Sequence, residues 1–296
     1  MNTDYMRPNP DYLALGHVTK DLTWDGKTIT PGGTVLYSAM TAQRLGLQAA
    51  IVTSCSSKDS YLLQEVRDAG VWVHVMDSPY TTTFYNVYDE HGKRTQVVGA
   101  QASRVWMRDV PVGWRNAPIV HLGPVAQELP DHMPSRFTDC LLGITPQGWM
   151  RSWDNAGLVK HSAWPIPPEL TGLPANTFLC LSIEDLGYDP GLMESYVSLA
   201  PLVAITHGAH GAYVYSTDES AVLPSCGAEV VDATGAGDVF AAALFVKYQE
   251  TADPFLSARF AHAAAACAIE GQGASSIPDR VAVEHRLATE PQRRDR

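Results

Sequence analysis

The sequence has no pair of cysteines at metal-ligand or redox spacing. Its five cysteines (Cys55, Cys140, Cys180, Cys226 and Cys267) lie far apart and are odd in number. That argues against a disulfide framework or a zinc knuckle and for reduced thiols. Long apolar runs are also missing. The Ala-rich stretch 258–269 is interrupted by Arg259 and His262, so nothing reaches membrane-spanning length. The polar N-terminal stretch MNTDYMRPNPDY lacks the apolar core of a secretory signal. A cytoplasmic protein with no membrane partner is expected. Positive charge is scarce, with 21 Lys and Arg against 32 Asp and Glu, a net charge of −11. That balance does not suit a phosphate backbone and argues against a nucleic-acid partner. A small anion can still be held by local backbone N–H groups. Two nucleotide motifs are absent as well. Without G-x-x-x-x-G-K-[ST] a P-loop NTPase is disfavoured, and without G-x-G-x-x-G after the first apolar run so is a dinucleotide-dependent oxidoreductase.

What is present is an α/β pattern. Residues 13–18, 49–53, 71–75, 119–122, 141–144, 177–181 and 202–206 are short apolar runs and read as buried strands. Helices are expected at 35–45, at 61–69 with Ser60 as cap, at 236–249 and at 254–270. This alternation predicts one domain over residues 1–296, with a central, mostly parallel sheet covered by helices on both faces. Residues 21–31, around Asp25-Gly26, and 81–98, with Gly92 at the tip, read as hairpins. Hairpins do not join a parallel core easily, so a small β sheet projecting as a lid is expected. Residues 149–168, rich in Trp, Pro and Gly, read as a long irregular surface segment, and the charged tail after Val283 as frayed.

The chemistry concentrates in Val230-Val-Asp-Ala-Thr-Gly-Ala-Gly-Asp-Val-Phe240. A β-branched pair ends a strand, small residues follow, and a helix starts. Gly235 and Gly237 let the backbone approach a ligand with no Cβ in the way. First-turn N–H groups and the helix dipole then make an anion site. Asp238 sits inside that turn. It reads either as an acid favoured by the dipole or as a base that takes the proton of an attacking hydroxyl while the amides hold a phosphoryl group.

Asp232-Ala-Thr-Gly-Ala-Gly-Asp238 resembles the C-terminal signature of the ribokinase/PfkB carbohydrate kinase family. The resemblance implies a ribokinase-like fold, with the backbone of Gly235, Ala236 and Gly237 as the anion hole and Asp238 as the catalytic base. It extends over roughly residues 12–278. Gly32-Gly33 resembles the family's N-terminal Gly-Gly motif, with Tyr37 where the family usually has Asn, and Asp21 stands where the family reads substrate hydroxyls. Read alone, these are a turn before a helix and a solvated hairpin acid. Thr206-His-Gly208-Ala-His-Gly211 resembles the family's Thr-x-Gly-x-x-Gly near ATP, though it also fits a plain hairpin. Leu181-Ser-Ile-Glu-Asp185 puts Ser182 near ATP and Asp185 near Mg²⁺, with Glu184 as the alternative acid acting through water. Few carboxylates suffice, since Mg²⁺ keeps water and phosphate ligands. His262 takes the place of a frequent adenine-side Asn, and Asp232 with Thr234 would belong to the K⁺ site that many members have.

For the acceptor, Arg94 or Gln96 of the second hairpin would meet substrate or phosphate, beside Tyr37, Phe84 and Tyr85. Thr145-Pro-Gln-Gly-Trp-Met-Arg-Ser-Trp-Asp154 is similar to the inositol-kinase-like branch. The reading is therefore an ATP-dependent kinase for a sugar or polyol. A nucleoside kinase is the alternative, and a non-catalytic sugar-binding homologue a further one. No cluster of Lys or Arg near the lid speaks for a sugar phosphate. An exposed lid sheet can pair across a two-fold axis, so a homodimer through the lid is an open expectation. Deleting the tip of the second hairpin is expected to raise wasteful ATP hydrolysis or abolish phosphorylation. Unchanged values of both would mean that the hairpin covers nothing.

Overall fold

The computed structural model describes residues 8–88, 94–164 and 173–289. In chain order the strands begin with β1 (Tyr12–Leu15), β2 (Thr19–Thr23) and β3 (Ile29–Gly32). After helix α1 (Thr34–Arg44) come β4 (Ala49–Cys55), α2 (Gln64–Asp68), β5 (Trp72–Asp77), β6 (Thr83–Tyr88) and β7 (Arg94–Ala100). The middle holds β8 (Ile119–Leu122), β9 (Leu141–Ile144), β10 (Arg151–Trp153), β11 (Val159–His161) and β12 (Thr177–Ser182). Then follow α3 (Pro190–Val197), β13 (Leu202–Thr206), β14 (Ala212–Tyr215) and β15 (Ser220–Leu223), and last α4 (Ala236–Thr251), α5 (Pro254–Ile269) and α6 (Arg280–Thr289).

Among the described residues nine strands form one sheet, ordered β15-β14-β13-β12-β9-β8-β1-β4-β5. All neighbours pair in parallel except β13–β14 and β14–β15, an antiparallel edge. Strands buried on both faces need continuous apolar runs, and YLAL, IVHL and LLGI supply them. Successive side chains point to opposite faces. Tyr12 and Ala14 accordingly join the core under α1, α4 and α5, whereas Leu13 and Leu15 join the core on the other side.

Helices lie on both faces, but unevenly. The second face is covered mainly by 3₁₀ turns and loops, with α3 at one end, and its core is filled by Trp114, Trp149 and Trp164. Pro111, Pro118, Pro124, Pro130 and Pro134 interrupt this stretch, and proline removes a helical hydrogen bond. Large rings bridge the extra distance to the sheet. Of the surface segment expected at 149–168, residues 154–156 and 160–163 are exposed, whereas its described ends are held in the core. Trp149 and Trp164 are buried and stacked at 4.4 Å, and β10 and β11 form a hairpin. Residues 165–168 of that expectation lie outside the described part.

The strand expected to end at Val230-Val231 is exposed irregular backbone, and two other boundaries moved. The helix expected at 61–69 is a 3₁₀ turn, Ser57–Leu63, followed by the short α2. The chain beyond Val283 continues as α6 to Thr289, because Val283 is buried against the core and Arg286 grips Glu270.

The two hairpins, β2–β3 and β6–β7, join through a parallel β2–β6 pair into a four-stranded sheet of order β3-β2-β6-β7. Its base is pinned by buried polar groups. Glu128, fully buried, accepts hydrogen bonds from the backbone N–H groups of His17, Val125 and Ala126. The His17 ring lies 2.7 Å from Thr82 Oγ1 and 2.9 Å from Ser103 O, and Thr82 Oγ1 accepts from Ala102 N. One hub thus holds the chain where it enters the small sheet after β1, before β6 and after β7.

The α6 tether is acid-sensitive. The Arg286 guanidinium, 2.7 Å from Glu270 Oε2, holds that carboxyl below its ordinary value. A depressed carboxylate stabilises the fold fully above its unfolded value of about 4.3, and this contribution is lost as pH falls through the folded value. Hydrogen exchange, corrected for intrinsic rate, should show α6 losing protection between pH 5 and pH 3, and Glu270→Gln should remove that pH dependence. Unchanged protection of α6 at pH 3 would contradict the tether.

Candidate active site

The carboxyl ends of parallel strands are where open α/β sheets bind ligands. Ser182 ends β12, Thr206 ends β13 and Thr145 follows β9, and all three line a cleft of about 310 Å³. Thr19, Asp21, Gly32, Gly33, Thr34 and Tyr37 form its wall on the α1 side, and the turn Ala233–Asp238 closes the opposite side.

The α4 start is built as its sequence implies. Gly235 is the cap residue, in the left-handed region at φ 77°, and Val239 N donates the first helical bond to Gly235 O at 2.9 Å. The amides of Gly237 and Asp238 precede that bond and belong to the end of the helix that lacks internal acceptors. Glycine at 235 has a second reason. A Cβ there would lie 2.3 Å from Tyr37 Cδ1, so the Tyr37 ring packs flat on the turn. Tyr37, expected at the acceptor, thus lies against the turn that opens α4. Burial, and after it the charge of Asp238, pushes the Tyr37 phenol well above its ordinary value. Burial followed by Asp238 raises the Cys180 thiol in the cleft floor in the same way. Both groups stay protonated beside the Asp238 carboxylate.

On the small sheet, alternation places Thr19, Asp21, Phe84 and Gln96 on the face that lines the cleft. Asp21 Oδ1 accepts from Thr19 Oγ1 at 2.9 Å, and its Oδ2 would lie 2.6 Å from a Cβ at Gly32. The carboxylate thus rests on the bare Gly32 backbone. Tyr85 turns to the other face, against Trp24 at 6.3 Å, and is no part of the pocket wall. The side chain of Arg94, expected at the acceptor, lies outside the described residues.

The acids after β12 divide their tasks. Asp185 is buried, its Oδ2 accepts from Ser182 N and Ser182 Oγ, and its Oδ1 accepts from Gln147 Nε2 at 3.3 Å. These bonds tie its carboxylate to the turn. Glu184 is exposed and lines the cleft, so it is the acid better placed for a hydrated metal. Among the described residues no three of His, Cys, Asp and Glu cluster as a protein metal cage. One carboxylate with water and phosphate ligands satisfies Mg²⁺, so the residues present fit that ion. Asp232 accepts from Thr234 N at 2.9 Å and from Gly273 N at 3.1 Å, stapling the α4 approach to the loop after α5.

Three expected donor-side residues do not line the cleft. Gly208 and Gly211 belong to the turn between β13 and β14. His262 is buried edge-on to Phe240 at 4.9 Å, and burial lowers its pKa to about 4. An Ala-rich α5 packs close to α4 and draws the imidazole into the interface instead of the cleft.

The sequence reading assigned no site role to Thr145, Gln147 or Arg151, all of which line the cleft. Arg151 is buried, donates to Val125 O at 3.0 Å and to Gln96 Oε1 at 3.1 Å, and lies 5.4 Å from the centre of the Phe84 ring. It is the only cationic residue among the described lining residues. The signal available was the Thr-Pro-Gln-Gly-Trp-Met-Arg segment directly after a buried strand, where α/β clefts form.

Residues 192–280 match the family described as pfkB family carbohydrate kinase. An ATP-dependent ribose-1-phosphate kinase of Halopiger xanaduensis is 35% identical over 82 residues, which is 28% of this chain and 28% of that protein. The match therefore spans less than a third of that relative's length. A solved pyrophosphate-dependent kinase in the ribokinase family, complexed with a pyrophosphate analog and myo-inositol, superposes with TM-score 0.78 at 23% identity, over 93% of this chain and 99% of that one. Arabidopsis thaliana ribokinase complexed with ribose and ATP gives 0.74 at 20% identity, over 94% and 99%. At such identities the likeness is one of fold.

The Tyr37–Gly235 contact makes a double test. Gly235→Ala should cost roughly 1–3 kcal/mol through the left-handed backbone and the clash. In a Tyr37→Ala background only the backbone part, about 1–2 kcal/mol, should remain. Urea unfolding reads both, and fully additive penalties would show that ring and turn do not touch.

Proposed function

We propose that this chain, whose residues 192–280 match the pfkB carbohydrate kinase family, is a member of it and a phosphotransferase that moves the terminal phosphoryl group of ATP to a hydroxyl of a cyclic sugar or polyol. One observation carries the reading. A single cleft is lined at once by the Gly235–Asp238 turn and by Asp21 with Gly32-Gly33. An anion site and a hydroxyl-reading carboxylate thus share one enclosed volume.

In this reading Asp21 accepts hydrogen bonds from acceptor hydroxyls, and Arg151 with Gln96 and Gln147 orients the far side of the same molecule. Asp238 takes the proton from the attacking hydroxyl as its oxygen bonds to phosphorus and the bond to the leaving phosphate breaks. The amides of Gly237 and Asp238 face the charge on the transferring group, whereas Ala236 N, expected in the anion hole, donates to Ala233 O at 3.2 Å. Glu184 would hold Mg²⁺ through water, and the ion would neutralise phosphate charge. Ser182 and Thr206 border the donor phosphates, and a monovalent cation would belong with the Asp232 and Thr234 staple. The small sheet serves as the lid that keeps water from the phosphoryl group.

A second donor, pyrophosphate, is favoured by one specific pair of facts. Neighbours of very similar fold are pyrophosphate-dependent kinases, and the donor side of the cleft is lined only as far as Thr206 and the Ala233–Asp238 turn. A panel of ATP and pyrophosphate against cyclic polyols, sugars and nucleosides, followed by ³¹P NMR, tests both. We expect transfer from ATP. Transfer from pyrophosphate alone would move the donor assignment without touching the acceptor site. Asp238→Asn should slow turnover by about 10²–10⁴-fold while donor binding by calorimetry persists. A near-normal rate would remove the proposed base.

A further inference from the structure

Behind the cleft wall, three side chains from neighbouring parallel strands form a polar chain through packed interior. The Tyr12 hydroxyl on β1 lies 2.7 Å from Nδ1 of His121 on β8, and His121 Nε2 lies 2.9 Å from Oγ1 of Thr145, which follows β9. Tyr12 and His121 are wholly buried, and His121 packs edge-on to Phe245 at 5.0 Å. Thr145 is the end that reaches the cleft. Polar atoms in such surroundings are costly unless every hydrogen bond is made.

The direction of the chain is fixed by counting hydrogens. Burial lowers the His121 pKa to about 3 and raises that of the Tyr12 phenol. The imidazole therefore stays neutral, with one N–H and one lone pair, and the phenol keeps its proton. If Tyr12 donates to Nδ1, then Nε2–H donates to Thr145 Oγ1, and the last free hydrogen is the one on Thr145, facing the cleft. In the opposite direction the last hydrogen stays in the core on Tyr12, or passes to Ser38, whose buried Oγ has no hydrogen-bond partner to pass it on to. A stranded buried donor costs about 1–3 kcal/mol, so the first arrangement wins.

We propose that Thr145 is a fixed hydrogen-bond donor to the phosphoryl acceptor, its polarity set from within by the Tyr12–His121 pair. This rests on the phosphotransferase reading above. Its consequence is a polarised cleft. An ionised Asp21 can only accept and Arg151 can only donate, and Thr145 adds a second donor. The acceptor must then give a hydroxyl hydrogen to Asp21 and present a lone-pair oxygen to Thr145. A polyhydroxylated ring offers both on neighbouring carbons. Its deoxy analogue at the second position does not.

Two measurements test this. In ¹⁵N-histidine-labelled protein, a ¹⁵N–¹H correlation spectrum should show His121 protonated at Nε2 with a free lone pair at Nδ1, and Tyr12→Phe should disturb that state. In kinetics with the best acceptor of the panel, Thr145→Val should raise the acceptor KM roughly three- to tenfold, with the donor KM unchanged. Thr145→Ser should restore the wild-type value, and His121→Leu should add little in the Thr145→Val background. An Nδ1-protonated His121, or an unchanged acceptor KM in Thr145→Val, overturns the proposal even if the His121 variant fails to fold. An active wild-type enzyme with an indifferent Thr145→Val removes this inference alone. A wild-type protein inactive with every donor and acceptor removes the phosphotransferase reading and this one with it.

Discussion

The face of Tyr37 against the bare backbone of Gly235 is the contact on which the site depends. Tyr37 stands in the first turns of α1, whose approach carries Gly32, Gly33 and Thr34. Gly235 opens α4, whose first turn carries Asp238. A single van der Waals contact therefore fixes the separation between the residues that would hold an alcohol and the carboxylate and amides that would act on a phosphoryl group. The two helices pack on the same face of the sheet, so the contact is backed by the main core. Tyr37 packs on the turn, and the polar side chains of Asp21, Thr145 and Arg151 line the cleft beside it.

The small sheet depends on a second constraint of a different kind. Its base hangs on Glu128, His17 and Thr82, a buried set in which each polar group meets a partner. A satisfied buried network holds backbone segments in place more directionally than apolar packing does. Beyond that base, contacts from the sheet to the rest of the chain include Arg151–Gln96, the Val98 N to Gly157 O bond and the Lys20–Asp59 ion pair. These are the contacts that would have to yield if the sheet moves, and Arg151 stands both in them and in the cleft.

Much was legible from the chain itself. The seven parallel strands follow from apolar runs too short for helices, and the Gly235–Asp238 turn follows from glycines at the start of a strong helix. The hairpins follow from Asp25-Gly26 and from the alternation around Gly92. The misread elements share one cause. Residues 149–164 look like surface because Trp, Pro and Gly mark irregular backbone, and 154–156 and 160–163 are exposed, yet Trp149 and Trp164 are buried because their rings fill the space that absent helices leave. His262 looks like a ligand contact by position, and only the packing of α5 on α4 turns it inward. Asp185 and Glu184 are neighbours in sequence, and their separate roles appear only when Ser182 and Gln147 are seen to claim Asp185.

The sequence by itself determined the α/β class, the glycine turn that opens α4 and the carboxylate within it, because these follow from local periodicity, glycine freedom and helix polarity. Tertiary structure alone decided which distant residues face that turn. Asp21, Thr145 and Arg151 stand over a hundred positions apart at their extremes, and no local preference encodes their meeting. Thr145 follows β9 at the carboxyl edge of the large sheet, Asp21 stands on the small sheet that the chain enters after β1, and Arg151 on the β10–β11 hairpin after β9, so three separate sheets must meet before the cleft exists.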